Sequence, residues 1–179
     1  MAMNRIRSAS ASPGAAEEAA TRDDRDVVVK SQLDASWLAV LEHMLFFNEQ
    51  QHSVRARVAA VVDRYGGLQI LEEGGRLRLR LEGLPDTQTL YAVLPDGRPV
   101  GCVVYSRDEP GRFLVLHVAV EPAFSVRGGM ADGDVLLRLV GAVRSAAKLT
   151  RGVRRIDLLY AAGRVSSLRV RGPAGQGSC

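Results

Sequence analysis

Ten residues, Phe124 to Gly133 (FSVRGGMADG), separate a run of apolar, strand-forming residues from a helical repeat. A strand, then glycine-containing backbone, then a helix N-terminus is one way proteins hold phosphate. Backbone N–H groups without partners and the positive end of the helix dipole converge on one point. Arg127, Gly128, Gly129, Ala131 and Gly133 carry that reading, with Arg127 as the cation and the others as backbone an anion can approach. The competing reading is a connection that needs glycine for its turns. Just before the loop, His117 and Glu121 lie four apart on one strand and therefore share a face. His and Glu are proton-transferring side chains. They are also what a packed core histidine and a strand-ending glutamate before Pro122 would look like. Tyr160 closes the following strand, where a tyrosine commonly packs its ring and wets its hydroxyl.

Other chemistries find no support. The chain has no G-x-S-x-G, no G-x-x-x-x-G-K-[ST] and no H-E-x-x-H. His43 and His52 lack carboxylates at ligand spacing, so no metal is expected. Two cysteines make no disulfide framework, and Cys102, inside a strand pattern, reads as a small buried hydrophobe.

The elements that must position these residues follow from periodicity. Val27 to Lys30 reads as a short strand. Helix one begins near Ser31, with Ser31 and Asp34 as a capping box and Leu33, Trp37, Val40, Leu41, Met44, Leu45 and Phe47 at helical spacing. Trp37, Phe46 and Phe47 are expected in the core, or lining a pocket. A second helix after Ser53 carries Val54, Val58, Val61, Val62 and Tyr65, and Gly66-Gly67 caps its end. Leu68 to Leu71 and Arg76 to Glu82 flank the turn EEGG, the second alternating Leu inward and charge outward. Thr89 to Leu94 and Pro99 to Ser106 flank Pro95-Asp96-Gly97-Arg98, a hairpin signal. Phe113 to Val120 is apolar on both faces and so belongs at the centre of a sheet. A helix from Asp134 to about Arg151 and a strand from Arg154 to Tyr160 complete one crossover. Antiparallel hairpins leading into one β-α-β unit predict an α+β fold: a central mixed sheet with helices on both faces.

At 179 residues and 46% apolar, this is one ordinary domain with a substantial core. Residues 1–26 read as a disordered segment, 27–160 as the domain, and 161–179 as a basic tail able to supply a short strand from Ser166 to Arg171. The net charge is +4, of which the tail alone contributes +3 through Arg164, Arg169 and Arg171. A basic pI that comes from a tail argues against a nucleic-acid surface, although Arg144, Lys148 and Arg151 share a helix side. No apolar run approaches bilayer length and the N-terminus lacks a secretory apolar core, so a cytoplasmic protein without membrane attachment is expected.

The order resembles the GNAT superfamily of N-acetyltransferases. The residues carrying the likeness are TLYAVLPDGRPVGCVVYS, FLVLHVAVEPAF, SVRGGMADGDVLLRLVGAVRSAAK and GVRRIDLLY, within Val27 to Tyr160. The resemblance implies acetyl-CoA as cofactor and a small amine or a protein amine as acceptor. It implies that backbone near Val118 and Val120 aligns the pantetheine and that the loop residues from Arg127 to Gly133 hold the diphosphate. It further implies Glu121 or His117 as base through water and Tyr160 as acid. The loop has the family's residue types at a different spacing, and Asp132 and Asp134 place negative charge beside the helix N-terminus. Only 19 residues follow Tyr160, so a surface the family covers calls for another cover, such as a second copy. Those departures keep open a non-catalytic GNAT-shaped binding or dimerisation module. A nucleic-acid reading through Arg144, Lys148 and the tail is the weakest of the three.

Overall fold

A computed structural model of the chain describes residues 27–47, 58–59, 61–84, 86–125, 134–161 and 164–170. Among the described residues, nine strands and two longer helices appear in the order β1 (Val28–Lys30), β2 (Leu33–Asp34), α1 (Leu38–Phe46), β3 (Leu68–Glu73), β4 (Arg76–Leu81), β5 (Thr87–Val93), β6 (Pro99–Glu109), β7 (Arg112–Val120), α2 (Asp134–Leu149), β8 (Arg155–Ala161) and β9 (Arg164–Arg169). Residues 58–59 and 61–65 are also helical. The disordered segment expected over 1–26 lies outside the described residues.

Six strands form the main sheet in the order β1-β5-β6-β7-β8-β9. Every neighbouring pair is antiparallel except β7 and β8, which the α2 crossover makes parallel. The fold is the expected α+β type with a mixed sheet. α2 covers one face. Val135, Leu139, Val143 and Ala147, one turn apart, are buried against Val100, Val103, Val115 and Ile156. The helix can come this close because residue 101 is glycine. A Cβ there would sit 2.9 Å from Val135 Cγ1 and 3.2 Å from Leu139 Cδ1. The turn between β5 and β6 also needs its glycine, since Gly97 has φ +90°.

The opposite face departs from the sequence expectation. The β3–β4 hairpin forms, but it joins β2 in a separate three-stranded sheet, order β2-β4-β3, that lies over the main sheet beside α1. Alternation in β4 turns Leu77, Leu79 and Leu81 inward, where they bury with Leu41, Tyr91 and Val104. Two buried hydrogen bonds join the layers: Thr87 Oγ1 donates to Leu79 O at 2.9 Å and Tyr91 Oη to Leu77 O at 3.1 Å.

The start of helix one is also corrected. Leu33 and Asp34 pair with β4 as β2, so Ser31 caps nothing there. Asp34 caps a 3-10 turn at Ala35–Trp37 instead, accepting from Ser36 N at 3.0 Å and Ser36 Oγ at 2.8 Å, and α1 proper begins at Leu38. Trp37 packs against the core, but Phe46 and Phe47 are 46% and 71% exposed rather than core residues, with the His43 ring stacked on Phe47.

Candidate functional site

β7 is where sequence, fold and chemistry meet. Along its β6 side, Val104 faces His117 and Tyr105 faces Val115, so Leu116 is an extra residue and β7 is bulged there. The bulge shifts the side-chain alternation by one. Phe113 and Val115 point to the α2 core, and after the bulge Val118 and Val120 take over that direction. Without the shift the second half of FLVLHVAV would turn its valines to the wrong face.

Along its β8 side, the parallel register runs from Arg112↔Arg155 to Val115↔Leu158 and stops. Both strands continue, β7 to Val120 and β8 to Ala161. The sheet is therefore joined for four residues and open beyond them, starting at the bulge. Glu121 N–H donates to Val100 O at 2.8 Å, which fixes the phase of the antiparallel ladder. Ala119 and Glu121 point their backbone groups to β6, while Val118 and Val120 point theirs to the side of β8. A seam between the carboxyl ends of two parallel strands, beside the crossover helix, is where open sheets hold ligands.

His117 follows directly on the bulge. By register it shares the face of Val104, the side of α1 and the small sheet. Its Nε2 is buried and meets no hydrogen-bond partner among the described residues. Burial pushes its pKa down to about 4, so the ring is neutral near pH 7 and offers an imidazole nitrogen rather than a positive charge. Glu121 stands at the end of the same strand. Arg98 Nη1 donates to both its carboxylate oxygens, at 3.1 and 2.9 Å, a contact between residues 23 apart that no local pattern announced. Cys102, beside this face, is fully buried and its thiol pKa is pushed up to about 12, so it is packing rather than a nucleophile.

Tyr160 lies in β8, past the last parallel pair, so the backbone brings it to the far wall of the seam. Val118 lies on the near wall. Arg127, Gly128, Gly129, Ala131 and Gly133 fall outside the described residues. Among the described residues, no group of three or more His, Cys, Asp or Glu is arranged to hold a metal ion. No described helix is long and apolar enough to cross a membrane.

At the other end of β7 and β8, Arg112 binds Asp108, Glu109 and Asp157, and Arg155 bridges Glu109 and Asp157. The Asp157 side chain is 7% exposed. This cluster closes the paired end of the strands and holds charge that needs its partners.

No protein-family model and no curated protein matches the chain. Solved structures do resemble it. A GNAT-family protein from Desulfovibrio desulfuricans superposes with TM-score 0.42 and 17% identity, over 74% of this chain and 72% of that one. An IAA acetyltransferase from Bacillus cereus gives 0.39 and 18%, over 74% and 65%. A nourseothricin acetyltransferase gives 0.32 and 18%, over 83% and 69%. These are likenesses in outline, and the fold assignment rests on the strand order and register above. In that outline the chain is similar to acetyltransferases of the family its sequence resembles.

Proposed function

We propose that the protein is an acyl-CoA-dependent N-acyltransferase that moves an acetyl group to an amine. The observation that carries this reading is the seam: four paired residues, a bulge at Leu116, then two diverging parallel strands with Val118 backbone turned toward the gap. The residues present fit a pantetheine arm, an extended chain of amides that can pair with Val118 as a missing strand would. The segment holding Arg127, Gly128, Gly129, Ala131 and Gly133 would take the diphosphate. Acetyl-CoA, when bound, supplies the activated acyl group. Of the two candidate bases, His117 is favoured over Glu121. Its ring is neutral and its Nε2 has no described partner, whereas the Glu121 carboxylate is engaged by Arg98. Tyr160, across the seam, would return a proton to the departing thiolate.

The acceptor class stays at a small amine or a protein amine. Binding of acetyl-CoA by calorimetry, with pantetheine as the control lacking the diphosphate, tests the reading. Micromolar to low millimolar binding that weakens without the diphosphate is expected, followed by thiol release on addition of an amine acceptor. No binding at millimolar acetyl-CoA overturns it. A second reading, a non-catalytic module of the same shape that dimerises, is favoured by the acidic residues Asp132 and Asp134 in the segment that would meet the diphosphate. A solution mass of twice the monomer without cofactor binding would establish that reading in its place.

A further inference from the structure

We propose that Arg98 is a positioning residue for the end of β7, acting through Glu121. The effect on ligand affinity rests on the function proposed above; the effect on the strand does not.

Arg98 is a rigid anchor. It ends the tight turn between β5 and β6, where Leu94 N–H donates to Arg98 O at 2.9 Å and Gly97 N–H to Leu94 O at 2.9 Å. Its own N–H donates to Asp96 Oδ1 at 2.8 Å. From this fixed backbone the guanidinium reaches both Glu121 oxygens and lies 5.9 Å from the centre of the Phe124 ring. The two charged side chains are about two-thirds buried. An exposed ion pair on flexible stems contributes little. This one has a charge-assisted contact to both oxygens, an aromatic wall, and a pinned donor.

What it holds is the exit from β7. Glu121 N–H ends the ladder on Val100 O at 2.8 Å. A 3-10 turn, Pro122–Phe124, follows, in which Phe124 N–H donates to Glu121 O at 2.9 Å and Ser125 N–H to Pro122 O at 3.2 Å. Arg98 thus grips the strand end from a different hairpin, at the side chains of Glu121 and Phe124. Val118, three residues earlier, has no parallel partner on its β8 side among the described residues. Its backbone is held on the other side by the β6 ladder from Val104↔His117 to Gly101↔Val120, a short stretch bounded at one end by the bulge and at the other by this ion pair.

The test compares the full-length protein with R98A, R98K and E121Q by hydrogen exchange and by acetyl-CoA calorimetry. In R98A and E121Q the amides of Phe124 and Ser125 are expected to exchange about tenfold faster, with core amides of β6 unchanged. Acetyl-CoA affinity is expected to fall about tenfold. R98K restores most of the exchange protection, because a cation near Glu121 is retained. Exchange and affinity in R98A equal to those of the parent would overturn the proposal. If the parent itself binds no acetyl-CoA, the proposed function falls, and exchange alone decides the role of Arg98. Should R98A fail to fold, R98K and E121Q carry the same two readouts.

Discussion

A buried neutral histidine has a thermodynamic signature. His117 titrates at about 4 in the folded chain, against 6.5 for an unperturbed imidazole. A difference near 2.5 units corresponds to roughly 3 kcal/mol between the two protonation states, and partial exposure of the ring trims this to about 2 kcal/mol. The sign follows from proton counting. As pH falls through 6.5 the unfolded chain takes up a proton on this ring, and the folded chain does not until near 4. Stability from this group is therefore complete above 6.5 and is lost as pH falls toward 4. Urea unfolding of the parent and of H117Q at about pH 7 and about pH 4.5 isolates the effect, because the carboxylates contribute equally to both proteins. The parent is expected to lose about 2 kcal/mol more than H117Q across that interval. Equal losses would refute the reasoning. They would mean that His117 takes a proton in the native state as readily as in water, and the case for it as a neutral acceptor would go with it.

Three further outcomes follow from the packing. Arg112→Met should cost about 1–3 kcal/mol by denaturant unfolding, since it leaves the buried Asp157 with only the half-exposed Arg155 as a described cation partner, and a second change, D157N, should recover part of the loss. Gly101→Val should cost about 1–3 kcal/mol in the same assay, because its side chain would meet Val135 and Leu139 where the helix touches the sheet. Leu139→Ala, at a fully buried position on α2, should cost about 2–5 kcal/mol, read as a lowered thermal midpoint.

Local patterns carried much of the fold. The strict alternation of RLRLRL named β4, apolar residues on both faces named β7 as central, and the helical repeat after the glycine loop named α2. The turn at Asp96-Gly97 was equally plain. What was hidden depends on contacts distant in sequence. The β3–β4 hairpin reads the same whether it extends the main sheet or covers it, and the choice is made by buried bonds from Thr87 and Tyr91. The bulge at Leu116 carries no glycine or proline to announce it; the one available sign was that the valines of FLVLHVAV change parity halfway. For the site, His117 and Glu121 were legible as residue types, but not the ion pair that distinguishes them, because Arg98 comes from another hairpin. Asp34 was read as part of a cap, one turn displaced, since a two-residue strand leaves no periodic trace.

The seam divides the mechanics of the main sheet. In the order β1-β5-β6-β7 each strand is laced to the next, whereas the ladder joins β8 and β9 to them by four paired residues, with the Arg112 cluster at the closed end and Ile156 and Leu158 packed on the α2 core. A pair of strands fastened at one end behaves as a hinged leaf. Its free end can swing by a change in twist that breaks no ladder bond, so the width of the gap can adapt while the closed end stays fixed. Any such adjustment would have to slide Leu159, which packs on the core at that end, so the width of the gap and the packing beneath it are coupled.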